Sequence, residues 1–570
     1  MKIGEYEIKY SEEELTNILE TKTRNIELIS KDFEQYKLLP EGDKKALDYL
    51  LKAAQIINDV ALEQDHPQNI HIKNLLEEKS SENSYAQKAL SLFNSLNGVA
   101  GHNGVEEKPI QVFKELNLLA GKNFYPENLS VEEFHQILIE MANKNKFEEI
   151  KKILSARTMV RRKDDELIAI DYTKYFAKEF LNIAKAINDA ADCCTEKDFE
   201  KYLHWQAKAL LTNDETLDMN ADKQWALLQY NNLEFTISRE NYADEMTGTV
   251  FNNPKLLKIL QENNIEPVSK DTLGCRVGIV NKQGTKFILE SLKTLPHLAK
   301  WMPLSNQYEQ SIGSQDAKQT MVDADLIALT GDYAQCRGGI TTAQNLPNND
   351  KLSVKNGEGR RNVYHRQVRM SSDKKREKEL LNALVAPELH QYYDAESVHI
   401  FVIGHENGHS LGPLSEYQDS LGTYKHIIEE QKADVTSVAS MEVLASKFNL
   451  FEKSYLKTIY TSWCVGLFLK AQPVFANPHR VADLIQFNYL LENNVIFFDT
   501  EKKMHINFEI LSPKMYQLLE ETVSVQLSKS ANKAKEFIER WTYWGEYSEY
   551  IAKTQQEMGI KPFIKIITNF

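Results

Sequence analysis

The segment VHIFVIGHENGHSLGP, residues 398–413, decides how this chain is read. It contains HENGH at 405–409. On a helix, His405 and His409 stand at i and i+4, so both imidazoles leave one face and can share one ion. Zinc suits imidazole ligands, and a hydrolytic centre keeps one position open for water. Glu406 lies beside the first histidine, where it can take a proton from that water. Asn407-Gly408 is also a turn dipeptide and a poor helix former, so the same residues admit a loop with two exposed histidines.

A third ligand separates the two readings. One zinc-protease pattern continues HExxHxxGxxH; here Gly412 is in place, but Ser415 stands where the third histidine belongs. A second pattern takes a glutamate from a following helix. KHIIEEQKADVTSVASMEVL (425–444) offers Glu429, Glu430 and Asp434. With Ile427 at 0° and about 100° per residue, Val438, Met441 and Ala445 fall at about 20°, 320° and 0°. Glu430 falls at about 300° and Asp434 at about 340°, on this apolar face, and Glu429 at about 200°, off it. Carboxylates on an inward face are costly unless paired or metal-bound. A pair of core acids held by Arg or Lys is one solution. Glu430 as ligand, with Asp434 orienting a ligand histidine, is the preferred one.

Working outward, residues 11–210 read as mostly helical, as in 43–64 and 172–193, where apolar residues recur at three- and four-residue spacing. NGVAGHNGVEEKP (97–109) reads as a loop. LEFTIS (233–238), CRVGIVN (275–281) and the end of GIKPFIKIITNF (559–570) read as strands, and 424–448 as a helix. The basic run 360–378 reads as a solvated loop and helix face. The fold class is therefore α+β, mainly α with a smaller β part.

Composition narrows the function. The chain has 570 residues, enough for two to four domains or one large two-lobed body. Its net charge of −14 argues against a nucleic-acid partner, which needs basic surface. Five cysteines, two of them adjacent (Cys193, Cys194), make no disulfide framework and fit a reducing compartment. The N-terminal residues lack a signal-peptide pattern, and no run approaches the ~18 apolar residues of a membrane span. These features predict a cytoplasmic protein with no membrane partner.

Taken together, the motifs resemble dipeptidyl peptidase III, a family of zinc exopeptidases with a HExxGH or HExxH helix before an EExxAE-like helix. HENGH (405–409) and EEQKAD (429–434) match, with Asp434 replacing the last glutamate. The resemblance implies one zinc ion on His405, His409 and Glu430, with Glu429 and Asp434 orienting the histidines. AQNLPNND (343–350) is similar to a segment whose asparagines bind the substrate N-terminus, which implies Asn345 and Asn348. RGGITTA (337–343) is then the strand that holds peptide by backbone pairing. ISRENYADEM (237–246) resembles an ExYxD motif, implying Glu240 as an anchor for the α-amino group and Tyr242 as donor to the oxyanion. NPHRVADLIQFNYLLENN (477–494) resembles the helix carrying an active-site histidine, His479. Asp483 stands where the family often has an arginine.

The pattern covers roughly residues 235–495, and the chain looks like a short, bacterial-type member with the pentapeptide zinc motif. The resemblance implies two lobes about a wide cleft. One, with a small barrel-like β core and the substrate anchors, takes 1–285, 331–365 and about 540–570. The other, helical and zinc-bearing, takes 286–330 and 366–539. The implied activity is release of N-terminal dipeptides from short peptides with a free N-terminus, with Glu406 as general base and Tyr242 and His479 stabilising the oxyanion. The alternatives are a monoaminopeptidase or other zinc peptidase on the same scaffold, and a catalytically idle peptide-binding protein.

Overall fold

The computed structural model describes residues 1–102, 109–240, 244–310, 319–334, 343–346, 360–365, 373–468, 477–559, 561, 563–568 and 570, without the side chains of 215, 240, 319, 344–346 and 360. The elements that position the site are β1 (Thr23–Glu27), α1 (Glu41–Asp65), α2 (Ala177–Ala191), β2 (Leu233–Glu240), β3 (Thr272–Val280), α3 (Lys282–Leu292), β4 (Gln319–Gly331), β5 (Ala343–Leu346), β6 (Arg360–Tyr364), α4 (Val398–His409), α5 (Lys425–Lys447), α6 (Leu456–Gly466), α7 (Pro478–Glu492), α8 (Phe508–Leu527) and β7 (Phe563–Ile567). Helices dominate and the strands are few, as the α+β reading expects.

Among the described residues, one sheet has five strands in the order β5-β6-β4-β3-β2. β4 runs antiparallel to β3 and parallel to β6, with a bulge between Leu326 and Ala328. β3 is buried at every residue, so it has the continuous apolar character of a central strand. α1 packs on β3 and β4, with α2 behind it. Ala46, Leu50 and Ile57 of α1 meet Phe235, Val277 and Val322 of the sheet in one apolar core. The C-terminal strand β7 pairs in parallel with β1. A second core is helical. α5 is its axis, covered by α4, α7 and α8, and Ile428, Val435, Met441, Ile485 and Leu519 meet within it.

The expected strands at 233–238 and 275–281 lie within β2 and β3, and 43–64 lies within α1. Three local expectations change. The helix over 172–193 breaks at Phe176 into a short turn and α2. The loop at 97–109 opens with a strand, Ala100–His102, paired with Pro109–Gln111. Of RGGITTA, only Ala343 is described; it begins β5, an edge strand that pairs with β6.

The basic run 360–378 is not all solvated. Its first residues form β6, where Arg361 is fully buried and donates to Glu234 at 2.7 Å. Glu234 also accepts from Trp225 at 3.0 Å. A guanidinium can be buried when a buried carboxylate faces it, and charge counting along the sequence does not reveal such a partner.

Val322, Ala324 and Ile327 of β4 belong to the core of α1 and the sheet. Trp541 and Ile551 belong to the helical core.

Candidate metal centre

HENGH is helical to its end, since α4 runs through His409. The glycines explain how. Gly404 and Gly408 lie one turn apart on the face that meets α5. A Cβ at 408 would meet Ala433 O at 2.7 Å, and one at 404 would meet Ser437 Oγ at 2.3 Å. The residue that reads as a turn signal therefore lets two backbones approach. Asn407 anchors the helix sideways, donating to Ser291 Oγ of α3 at 2.8 Å.

This approach brings His405 and His409 of α4 against Glu430 of α5. His405 Nε2 and His409 Nε2 are 3.1 Å apart. Glu430 Oε2 lies 3.4 Å from the first and 3.5 Å from the second. His479, at the start of α7, places Nδ1 3.4 Å from the same oxygen while remaining largely exposed. Among the described residues this trio is the one cluster of three His, Cys, Asp or Glu side chains arranged to hold a metal ion.

Each ligand imidazole is fixed from behind. His405 Nδ1 lies 2.6 Å from Asp434 Oδ1, and Asp434 Oδ2 accepts from Gln486 of α7 at 2.9 Å. His409 Nδ1 lies 2.9 Å from Glu429 Oε1. Glu429 Oε2 accepts from Gln418 at 2.6 Å and from Gln526 of α8 at 3.3 Å. Lys432 Nζ also reaches Glu429 Oε1, at 2.9 Å. With both Nδ1–H groups donating to carboxylates, both Nε2 lone pairs turn towards Glu430.

The donor set fits a divalent cation. Among the described residues, Glu430 Oε2 is buried with no hydrogen-bond partner. Two imidazole lone pairs and a carboxylate oxygen at such short range repel one another unless positive charge lies between them. Ligands at zinc's usual distance, placed tetrahedrally, stand about 3.3 Å apart, close to the separations above.

The electrostatics agree. Burial disfavours charge on His405, but Asp434 and Glu430 outweigh it and lift its pKa well above the ordinary value. Burial acts likewise on His409, yet Glu430 and Glu429 raise it to about 9. Burial would raise Glu429, but Lys432 and His409 hold it at about 2. Glu430 is held well below the usual range, against burial, by His479 and His409. The site favours positive charge at the imidazole nitrogens, and a proton and a metal ion compete for it. Glu406 is buried beside the trio, and burial raises its carboxyl despite the two histidines.

The structure thus brings together seven of the sequence-derived residues: His405, Glu406, His409, Glu429, Glu430, Asp434 and His479. Glu429 corrects the angular estimate. α5 is buried almost continuously from Gln431 to Met441, because helices cover it on several sides, so it has no single inward face. Tyr242, Asn348 and the side chains of Glu240 and Asn345 lie outside the described residues. Asp483 is paired with Arg480 at 3.2 Å. Sequence reasoning missed Lys432, Gln418, Gln486 and Gln526. Lys432 had a signal: it follows Glu429 by three residues on one helix. Gln486 had a weaker one, seven residues after His479.

Comparison with known proteins follows the same line. A solved structure of dipeptidyl peptidase III from Caldithrix abyssi superposes with a TM-score of 0.79 at 23% identity, covering 97% of this chain and 98% of that one. The chain has the dipeptidyl peptidase III fold. The dipeptidyl-peptidase III of Corallococcus sp. strain EGB also shares that fold, with a TM-score of 0.74 at 16% identity, over 99% of this chain and 98% of that one. No family model matches the sequence. Nudix hydrolase 3 of Arabidopsis thaliana is 24% identical over 551 residues, 87% of this chain and 67% of that protein. About a third of that longer protein lies beyond the match, and the metal trio described above is independent of its name. Among the described residues, no helix is long and apolar enough to cross a membrane.

Proposed function

We propose that this chain is a zinc-dependent exopeptidase that removes dipeptides from the free N-terminus of short peptides. The observation that carries the reading is the convergence of His405 Nε2, His409 Nε2 and Glu430 Oε2 within 3.5 Å of one another, with a buried Glu406 beside them. The dipeptidyl peptidase III fold supports it.

A zinc ion held by those three residues would supply Lewis acidity towards a peptide carbonyl and make a nearby water more acidic. The chain's own residues do the rest. Glu406 takes a proton from the attacking water and passes it to the leaving amine, a task suited to a carboxyl whose pKa is raised by burial. Asp434 and Glu429 keep both imidazoles in the tautomer that points Nε2 inward. His479, at the open rim, donates to the developing oxyanion, with Tyr242 as the second donor. Glu240, Asn345 and Asn348 hold the substrate's ammonium and first peptide unit. A peptide pinned by its amine at a fixed distance loses a fixed number of residues.

β5 packs against α4 and stands at the edge of its sheet, which supports peptide pairing alongside the metal helix. We propose a sheet lobe that includes residues 1–280, 322–334 and β7 and a helical lobe that includes 282–310 and 373–557, with Met321, Ala343 and Tyr364 of the sheet packing into the helical core. Position 483 is an aspartate, paired with Arg480, and offers no positive charge to a substrate carboxylate, so the amine end sets the register.

The test is incubation of free and N-acetylated peptides with the pure protein, with zinc or with chelator, and product analysis by mass. The expected result is zinc-dependent dipeptide release, abolished by acetylation and by Glu406→Ala. Single-residue release would keep the metal centre and make the chain a monoaminopeptidase. Internal cuts insensitive to acetylation would refute the roles of Glu240, Asn345 and Asn348. Zinc binding without turnover would make it a peptide-binding protein.

A further inference from the structure

Lys432 is the least expected group near the metal centre. It is 1% exposed, inside the helical core, although an ammonium is among the costliest groups to bury. Its surroundings show what compensates it. Nζ lies 2.9 Å from Glu429 Oε1 and 2.7 Å from the carbonyl oxygen of Leu411, just past the end of α4. Gly412, at a φ of +90°, turns the chain over the lysine stem; a Cβ there would meet Lys432 Cδ at 3.2 Å. The same Oε1 of Glu429 lies 2.9 Å from His409 Nδ1. One carboxylate oxygen therefore takes the ammonium on one side and the imidazole on the other.

We infer that Lys432 is a positioning residue for the metal centre: its ammonium fixes the Glu429 oxygen that sets the tautomer and direction of His409, and its bond to Leu411 ties that arrangement to the end of the helix carrying both histidines. This rests on the proposed metal-binding role of His405, His409 and Glu430. Without the ammonium, Glu429 keeps, among the described residues, the His409 imidazole on Oε1 and two glutamine amides on its other oxygen. Its Oε1 would then lose the bond that fixes its direction, and His409 would lose a fixed acceptor. Simple charge counting gives the opposite sign. Lys432 is a cation near a cation site, so its removal should tighten metal binding if long-range Coulomb repulsion dominates. The direction of the change therefore decides between positioning and bulk charge.

The experiment is zinc affinity of the full chain, measured by competition with a chelator, for wild type, Lys432→Met, Lys432→Arg, Glu429→Gln and the Lys432→Met/Glu429→Gln pair. Thermal unfolding of each metal-free protein is followed in parallel. Loss of a partner behind a ligand histidine costs about 10–100-fold in metal affinity. Lys432→Met is expected to weaken zinc binding by about tenfold or more on that scale. Lys432→Arg should recover most of the loss. In the Glu429→Gln background, Lys432→Met should have no further effect, because the lysine acts through that carboxylate. If Lys432→Met does not fold, Lys432→Gln, which keeps a donor for Leu411, takes its place. Unchanged or tighter binding in the single variant overturns the inference, as does an equal loss in the Glu429→Gln background. A wild-type chain that binds no zinc overturns the metal centre itself, and this inference with it.

Discussion

His405 and His409 leave the same helix one turn apart, yet they are held by different means. Behind His405 stands Asp434, steadied by the neutral amide of Gln486 from α7. Behind His409 stands Glu429, steadied by the buried ammonium of Lys432 and by amides from Gln418 and Gln526. Both arms present an ionised acceptor to Nδ1 and leave Nε2 for the metal. In the His409 arm a countercharge lies within the protein. In the His405 arm, among the described residues, no lysine or arginine contacts the carboxylate, and a glutamine amide stands in its place. The same task is thus solved by a charged pair on one side and by a neutral hydrogen bond on the other. The consequences of breaking each differ accordingly.

The largest expected effect lies where the arms converge and serves neither preferentially. Glu406→Gln should lower turnover by roughly 10²–10⁴-fold, the usual worth of a general base, while zinc content stays at the wild-type level. Loss of zinc together with turnover would show that Glu406 holds the metal rather than the proton.

The carboxylates come next. Glu429→Gln strands Lys432 as a buried cation, so it should cost about 3–5 kcal/mol of unfolding free energy in denaturant melts of the metal-free protein. Asp434→Asn leaves His405 with Glu430 still beside it and should cost markedly less, although both should weaken zinc by about 10–100-fold. Equal destabilisation by the two would erase the distinction between the arms.

Gly408→Ala acts on both arms at once, because it separates the helices that carry them. The clash with Ala433 should cost about 1–3 kcal/mol and weaken zinc binding, both measurable on one preparation. The smallest effect is expected from Gln486→Leu. It removes a neutral donor and should reduce zinc affinity by less than about tenfold. A loss as large as that of Lys432→Met would mean that the neutral and charged supports are equivalent.

Much of this was legible in the residues themselves. HENGH and EEQKAD hold the residues that the structure brings together: helical spacing turns Glu430 and Asp434 inward, while Glu429 entered only through the family resemblance. Position 429 was harder, because a periodic angle assumes a single buried face, and α5 is covered on several. Gly408 was ambiguous for a related reason: a glycine that breaks an isolated helix also permits close packing of two. The glutamines that support Glu429 and Asp434 come from helices 50 or more residues away or from the segment before α5. Arg361 was read as a surface charge because Glu234, its buried partner, lies on another strand.

The central claim is that His405, His409 and Glu430 form one tight metal site. Zinc bound per chain, measured by elemental analysis after dialysis against metal-free buffer, tests it most directly when wild type is compared with Glu430→Ala. One zinc per wild-type chain and none in the variant is the expected result. A wild-type chain without zinc, or a Glu430→Ala chain that retains one, would contradict it.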